Sequence, residues 1–133
     1  MASVLKVDAL QGIASAGAIT VTSEGGSATQ SLQQGLAKEW INFNGTGTIA
    51  IRDSANVASI VDRGTASYTV NASNAFGNAD YATTAMAKET GNGDVLSVQG
   101  TPTTTELQFA NFRTDSSNPD QPYCMLTMMG DLA

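Results

Sequence analysis

The side chains in this sequence that could carry a reaction are its carboxylates and a single thiol. Twelve Asp and Glu residues are present, with one cysteine, Cys124, and no histidine. Acid–base catalysis near neutral pH draws on histidine or on carboxylates with shifted pKa. Asp53, Asp62, Asp80, Asp94, Asp115 and Asp120 each lie within two residues of a glycine, asparagine or serine. That setting suits turn formation and solubility. A glycosidase pair would instead need two of them to converge across a cleft about 5–10 Å wide. Cys124 could act as a nucleophile only beside a base, and without histidine it reads as a small buried thiol on a strand. Zinc needs about four N, S or O ligands and is poorly served here. Calcium needs only oxygens. Asp53-Ser54-Ala55-Asn56 and Gly91-Asn92-Gly93-Asp94 are oxygen-rich, but neither has the spacing of an EF-hand loop. The expectation is therefore no catalytic residue, no cofactor-binding residue and no metal ligand set.

Three further features have a chemical and a structural reading. Gly45-Thr46-Gly47-Thr48 resembles a phosphate loop only superficially. It lacks the following Gly-Lys-Ser/Thr and the helix whose N-terminus would hold an anion, so a hairpin turn explains it better. Trp40, Phe43, Tyr68 and Tyr81 could make a sugar-stacking platform, or could form a core or subunit interface; the second is the expectation. The sequons at Asn44 and Asn71 read as turn and strand polar residues rather than glycan sites.

Composition sets what such residues can be built into. The chain of 133 residues has 8 aromatics against 19 alanines, 16 threonines, 13 glycines and 12 serines. This suits flat sheets with small side chains and burial shared between subunits. Charged residues make up 14 %, against about 25 % in typical globular domains, so a surface partly covered by neighbours is expected. The net charge is −6, and the six cations Lys6, Lys38, Arg52, Arg63, Lys88 and Arg113 are dispersed. A nucleic-acid or polybasic membrane contact needs clustered cations, so neither partner is expected. One cysteine excludes an intramolecular disulfide. MASVLKVDAL has no apolar run of signal-peptide length, and no segment approaches the roughly 20 apolar residues of a membrane span. Assembly in a cytoplasm is the expectation.

The chain divides into an N-terminal arm, residues 1–36, and a β domain, residues 37–133. In the arm, Leu5 and Val7 alternate with Val4, Lys6 and Asp8, and Ile19 and Val21 alternate with threonines, as in extended chain. SEGGS breaks the pattern. Over ATQSLQQGLAKEW, Leu32 and Leu36 lie one helical turn apart while Gly35 opposes a helix, leaving a short helix and an extended linker both open. Beyond it, AKEWINF, TIAIRD, VASIVDRG, TASYTVN, YATTAMAK, DVLSVQ, TELQFANF and PYCMLTMMG read as strands. TIAIRD reads as buried on one side through Ile49 and Ile51. Asp53 to Asn56 and Gly91 to Asp94 read as turns. A hairpin is centred on Asp62-Arg63-Gly64, and Asn74 to Asp80 is a loop anchored by Phe76. Leu96 pairs in phase with Val98, and Leu107 with Phe109. The last segment is apolar on both faces, as in a central strand or one covered by a partner subunit. About seven or eight short strands separated by frequent turns predict an all-β fold: a small antiparallel sandwich or barrel-like domain with an extended N-terminal arm.

The run GLAKEWINFNGTGTIAIRDSANVASIVDRGTASYTVNASNAF, residues 35–76, resembles a module of tailed-bacteriophage structural proteins, notably marine ones, of the fibre or virion-surface type. The matching features are the AK-x-W-x-NFNGTGT opening, the IRDS-x-NV-x-SI-x-D-x-GT middle and the YTVN strand. The likeness continues weakly through YATTAMAKE, and MASVLKVDALQG also looks like the start of such proteins. The resemblance implies a non-enzymatic, β-rich virion component forming a homo-oligomer, a trimer. With one small head and one arm, the expected role is a capsid decoration (cement) protein or short head fibre contacting the major capsid protein. The alternative is a tail-fibre or knob protein that binds a host surface receptor.

Overall fold

The computed structural model describes residues 4–13, 19–23, 25–88, 95–113 and 115–131. The chain forms two compact units, Met1–Leu36 and Ala37–Ala133.

In the first unit, residues 4–13 have no regular secondary structure. Strands β1 (Thr20–Thr22) and β2 (Thr29–Ser31) form an antiparallel hairpin in which Val21 faces Gln30. Backbone bonds from Ser23 N to Ala28 O (3.0 Å) and from Leu32 N to Ile19 O (2.8 Å) close it. The segment read as a short helix or a linker is thus neither. It supplies β2 and then one turn, in which Gly35 N donates to Ser31 O at 3.1 Å. Gly35 ends the turn before a helix can propagate, since glycine costs about 1 kcal/mol in a helix interior.

The second unit is all-β, and no helix occurs among the described residues. Its strands are β3 (Glu39–Asn44), β4 (Ala50–Ala55), β5 (Val57–Gly64), β6 (Ser67–Ala72), β7 (Ala82–Lys88), β8 (Val95–Gln99), β9 (Glu106–Phe112) and β10 (Tyr123–Met129). They form two four-stranded sheets, ordered β4-β3-β10-β7 and β5-β6-β9-β8, with every pairing antiparallel. The two inner faces share one core in a sandwich. The first sheet contributes Ile41, Phe43, Cys124, Leu126 and Met128; the second contributes Tyr68, Val70, Leu96, Leu107 and Phe109. Phe43 meets Tyr68 edge-on with ring centroids 5.1 Å apart, and Phe109 lies 5.8 Å from Phe43. Each such burial contributes about 1.5–3 kcal/mol, and each aromatic pair about 0.5–1.5 kcal/mol more. Phe76 anchors its loop as expected, buried and stacked on Tyr81 at 4.3 Å.

Several local expectations need correction. The β5–β6 hairpin exists, but its turn is Thr65-Ala66, with Ala66 at φ +60°. Asp62-Arg63-Gly64 belongs to β5 and forms a bulge, in which Gly64 N donates to Asp62 Oδ1 at 2.9 Å. Asp53, Ser54 and Ala55 are strand residues of β4, and only Asn56 leaves it. Asn56, at φ +60°, carries the chain from one sheet to the other. Its side chain accepts from Asn74 N (2.8 Å) and donates to Asn74 O (3.0 Å), clamping that corner. Strand β4 is not buried on one side. It lies at a sheet edge, the register slips between Asn42 and Phe43, and Ile51 is exposed, while Ile49 just before it packs on the core. Val98 is likewise exposed on edge strand β8, although Leu96 is buried. The expected Gly91–Asp94 turn lies outside the described residues.

Strand β10 is central, as its two apolar faces suggested. Cys124, Leu126 and Met128 point into the core, while Tyr123, Met125 and Met129 remain exposed on the other side. A polar tie centred on Tyr68 crosses between the sheets. The Tyr68 hydroxyl lies 2.8 Å from Asp120 Oδ1 and 2.9 Å from Gly45 O, and Ala66 N donates to the same Asp120 oxygen at 2.6 Å. Gly45 N donates to Gln121 O at 2.9 Å. A Cβ on Gly45 would fall 2.5 Å from the Tyr68 hydroxyl oxygen and 2.9 Å from Gln121 O, so the NGTG glycine is fixed by close approach. Two stability measurements check this tie by thermal unfolding monitored by circular dichroism. Gly45→Ala is expected to destabilise by more than Gly47→Ala, whose added Cβ meets open space and is penalised only by its φ of +62°. Tyr68→Phe is expected to lose about 1–2 kcal/mol; an unchanged midpoint would show that the hydroxyl carries no net stabilisation.

Candidate interaction surface

The side chains that could carry chemistry are spread through the fold, and several serve it locally. Asp62 closes a bulge. Asp53 Oδ1 accepts from Ser54 N at 2.9 Å. Asp115 Oδ1 accepts from Ser117 Oγ at 2.6 Å and Ser117 N at 2.9 Å; the Ser117 hydroxyl is the main cause holding this carboxyl below its ordinary pKa. Asp80 follows an Asn78 turn, its N–H donating to Asn78 Oδ1 at 2.8 Å. Asp120 is the departure from the turn reading, because it reaches into the core to Tyr68 and Ala66. Burial first, and then the Asp120 carboxylate, hold the Tyr68 phenol well above its ordinary pKa. Asp94 lies outside the described residues. Cys124 is a buried thiol whose Sγ donates to Gln121 O at 3.7 Å. In the oxygen-rich Asp53–Asn56 stretch, Asn56 Oδ1 is already occupied by Asn74. Among the described residues, no three His, Cys, Asp or Glu side chains converge as a metal site.

The two sequon asparagines are engaged within the fold. Asn44 accepts from Thr46 Oγ1 at 2.8 Å and donates to Thr46 O at 2.7 Å; Asn71 donates to Ser59 Oγ at 3.0 Å. The four aromatics do not form one platform. Phe43 and Tyr68 are core, Tyr81 stacks on Phe76, and Trp40 projects from the opposite face of its sheet.

That opposite face is the largest chemical asymmetry of the sandwich. Strand alternation and the registers Thr127↔Trp40, Met125↔Asn42, Met125↔Met86 and Tyr123↔Lys88 place Trp40, Met86, Tyr123, Met125 and Met129 together on the outer side of the β4-β3-β10-β7 sheet. Met86 is 63 % exposed, and Tyr123, Met125 and Met129 are each exposed by more than a third. Two cations gather over one aromatic there. The Arg52 guanidinium stands 4.1 Å from the Tyr123 ring centroid and the Lys88 ammonium 5.0 Å from it. Cation–π attraction of this kind is worth about 0.5–1 kcal/mol at exposed sites. Asn42 Oδ1 is sealed within this layer without a hydrogen-bond donor. The outer side of the other sheet mixes exposed Val61, Val95 and Phe112 with polar side chains that bond to one another. Arg63 Nε donates to Thr69 Oγ1, Ser67 Oγ to Gln99 Oε1, and Asn71 to Ser59. A sheet face on which exposed methionines lie beside a tryptophan is suited to covering by another surface.

Glu39 is a carboxyl outside the turn-flanked set. It begins β3 on the inner side, in phase with Ile41 and Phe43, and is buried. Burial lifts its pKa from 4.5 to about 7. Tyr81 is raised too, by burial first and then by the Glu39 charge. The period-two alternation Glu39-Ile41-Phe43 was the available signal. Because the folded-state pKa is raised, the stabilisation is full below pH 4.5 and is lost as pH rises through about 7. Glu39→Gln is therefore expected to remove a decline of up to about 3 kcal/mol across this window, read as the difference between wild-type and variant urea midpoints from pH 4.5 to 8. Parallel wild-type and variant curves would show that Glu39 does not titrate there.

No protein-family model, no curated protein and no solved structure matches this chain.

Proposed function

We infer that this protein is a non-enzymatic structural component of a tailed-bacteriophage virion. In this reading it is a homotrimer acting as a capsid decoration protein or short head fibre, assembled in the host bacterial cytoplasm and contacting the major capsid protein. The observation that carries the reading is the outer face around Met86, Met125 and Met129, on a chain whose Asp53, Asp62, Asp115 and Asp120 carboxylates bond within the fold. Such a face gains from burial against another protein, and closed cyclic assembly also protects exposed strand edges. The likeness of residues 35–76 to virion modules supplies the setting. Reinforcement would follow from many weak contacts made at once, since trimerisation raises the effective concentration of each.

Two measurements test this. Light scattering on the purified protein at micromolar concentration is expected to give a trimer mass; a monomer there counts against the assembly. Mass-spectrometric copy number in purified particles is expected to be in the hundreds, as for a shell component. A few dozen copies or fewer, located at the tail, would replace decoration with a fibre role. Removing residues 1–36 is expected to leave unit 37–133 folded but unable to join particles, measured by co-sedimentation; normal decoration by the truncated chain would overturn the arm's role.

A further inference from the structure

We propose that residues 74–81 form a pH-responsive plug over one end of the sandwich, seated while Glu39 is protonated and loosened as it ionises. The inference concerns unit 37–133 alone and is independent of any assembly.

Strand register places the parts. Glu39 pairs with Met128 and Met128 with Thr83, which makes one row across β3, β10 and β7. Glu39 occupies the inner side of that row, in phase with Ile41 and Phe43, and is 1 % exposed. The pair Met129↔Ala82 brings Gly130 opposite Tyr81 in the next inner row. Contact there is close. A Cβ on Gly130 would fall 2.8 Å from Tyr81 Cβ and 3.3 Å from Phe76 Cδ1. The stacked rings of Phe76 and Tyr81 therefore close the interior one row beyond the carboxyl. The Glu39 charge is felt at the Tyr81 phenol.

The plug lies outside the ten strands and is seated by a few bonds. Phe76 N donates to Thr104 O (2.8 Å), Gly77 N to Asp131 O (2.7 Å) and the Tyr81 hydroxyl to Glu106 O (3.3 Å), while Asn56 holds Asn74. A segment of this kind opens at lower free energy than core strands, and both sheets stay intact when it does.

An ionised carboxylate in an apolar interior is costly unless it is paired or hydrated. The other titratable groups at this end are Lys38, on the outer side by alternation, Asp80 and Tyr81 ahead of β7, Glu106 at the start of β9 and Asp131 after β10. Three of these are acids and offer ionised Glu39 no attraction. Arg52 and Asp53 of β4, Asp62 and Arg63 of β5 and Lys88 of β7 lie toward the opposite end, where β3 reaches Asn44, and β6, β8 and β10 carry no charged residue. Water is left to solvate the carboxylate, and admitting it requires Tyr81 and Phe76 to move aside. With Glu39 at about 7 in the closed form and 4.5 when solvated, opening grows more favourable between these values and levels off above them.

Amide hydrogen exchange of the full-length protein, read by NMR and divided by the intrinsic chemical rate, tests the plug. Corrected exchange at Phe76 and Gly77 is expected to rise about tenfold or more between about pH 5 and about pH 8. The rise should persist without dependence on low concentrations of urea, and Glu39→Gln should abolish it. Exchange at Phe76 and Gly77 that shares the rate and urea dependence of Val70 and Leu107 would mark global unfolding and overturn the inference. So would a rise that Glu39→Gln leaves in place, or no rise at all. Gly130→Ala keeps Glu39 and crowds Tyr81, so it is expected to bring the Glu39 titration midpoint, followed by carboxyl carbon NMR, down toward 4.5. A midpoint equal to that of the wild type would overturn the coupling of plug and carboxyl.

Discussion

A buried phenol hydroxyl has to be satisfied, and in this protein that requirement joins parts of the chain that are distant in sequence. Tyr68 projects from the second sheet into the interior, where its oxygen would be costly if left alone. Its partners come from the loop after β3 and from the loop before β10. Meeting it therefore fixes how the two sheets are placed on one another, and fixes Gly45 as a residue without a side chain. The surrounding aromatic trio of Phe43, Tyr68 and Phe109 adds area and edge-to-face geometry, but area alone does not select a register. A polar group with so few acceptable arrangements does.

With the interior so determined, the two outer surfaces are free to differ, and they do. One sets laterally bonded hydroxyl, amide and guanidinium groups among Val61, Val95 and Phe112. The other is a sulfur-rich and aromatic surface with its cations at one end. A sheet of alternating residues has to send every second side chain outward. In β10 these outward positions are Tyr123, Met125, Thr127 and Met129, one hydroxyl among three large side chains. Stability of the isolated sandwich does not require that choice.

Much of this architecture could be read from alternation. Strands β6, β9 and β10 declared themselves through Tyr68 and Val70, Leu107 and Phe109, and Cys124, Leu126 and Met128, because two-residue periodicity is strong wherever one face is buried. The central place of β10 followed from its lack of a polar face. What could not be read was position within the sheet. Ile51 and Val98 have the same local pattern as buried residues, and only their placement on edge strands exposes them. Short polar residues misled in a different way. Asp53 and Asp62 favour turns in isolation, yet pairing partners from elsewhere hold them in strands. Asp120 looked like one more loop acid, and its role depended on a tyrosine 52 residues away. The outward apolar face was half visible: the residues were evident in β10, but Trp40 and Met86 joined them only through the registers of β3 and β7.

Those registers also set an order of events during synthesis. Strand β3 is made early, yet one of its two neighbours is β10, whose first residue is Tyr123. While the intervening chain is being translated, Ile41 and Phe43 lack half of the sheet that will shelter them. Folding dominated by such distant pairings is slow, and the nascent chain carries an unpaired strand edge through that delay. The scarcity of large apolar groups noted at the outset then has a use of its own. A chain sparing in sticky side chains can wait on the ribosome for its last strand without adhering to its neighbours.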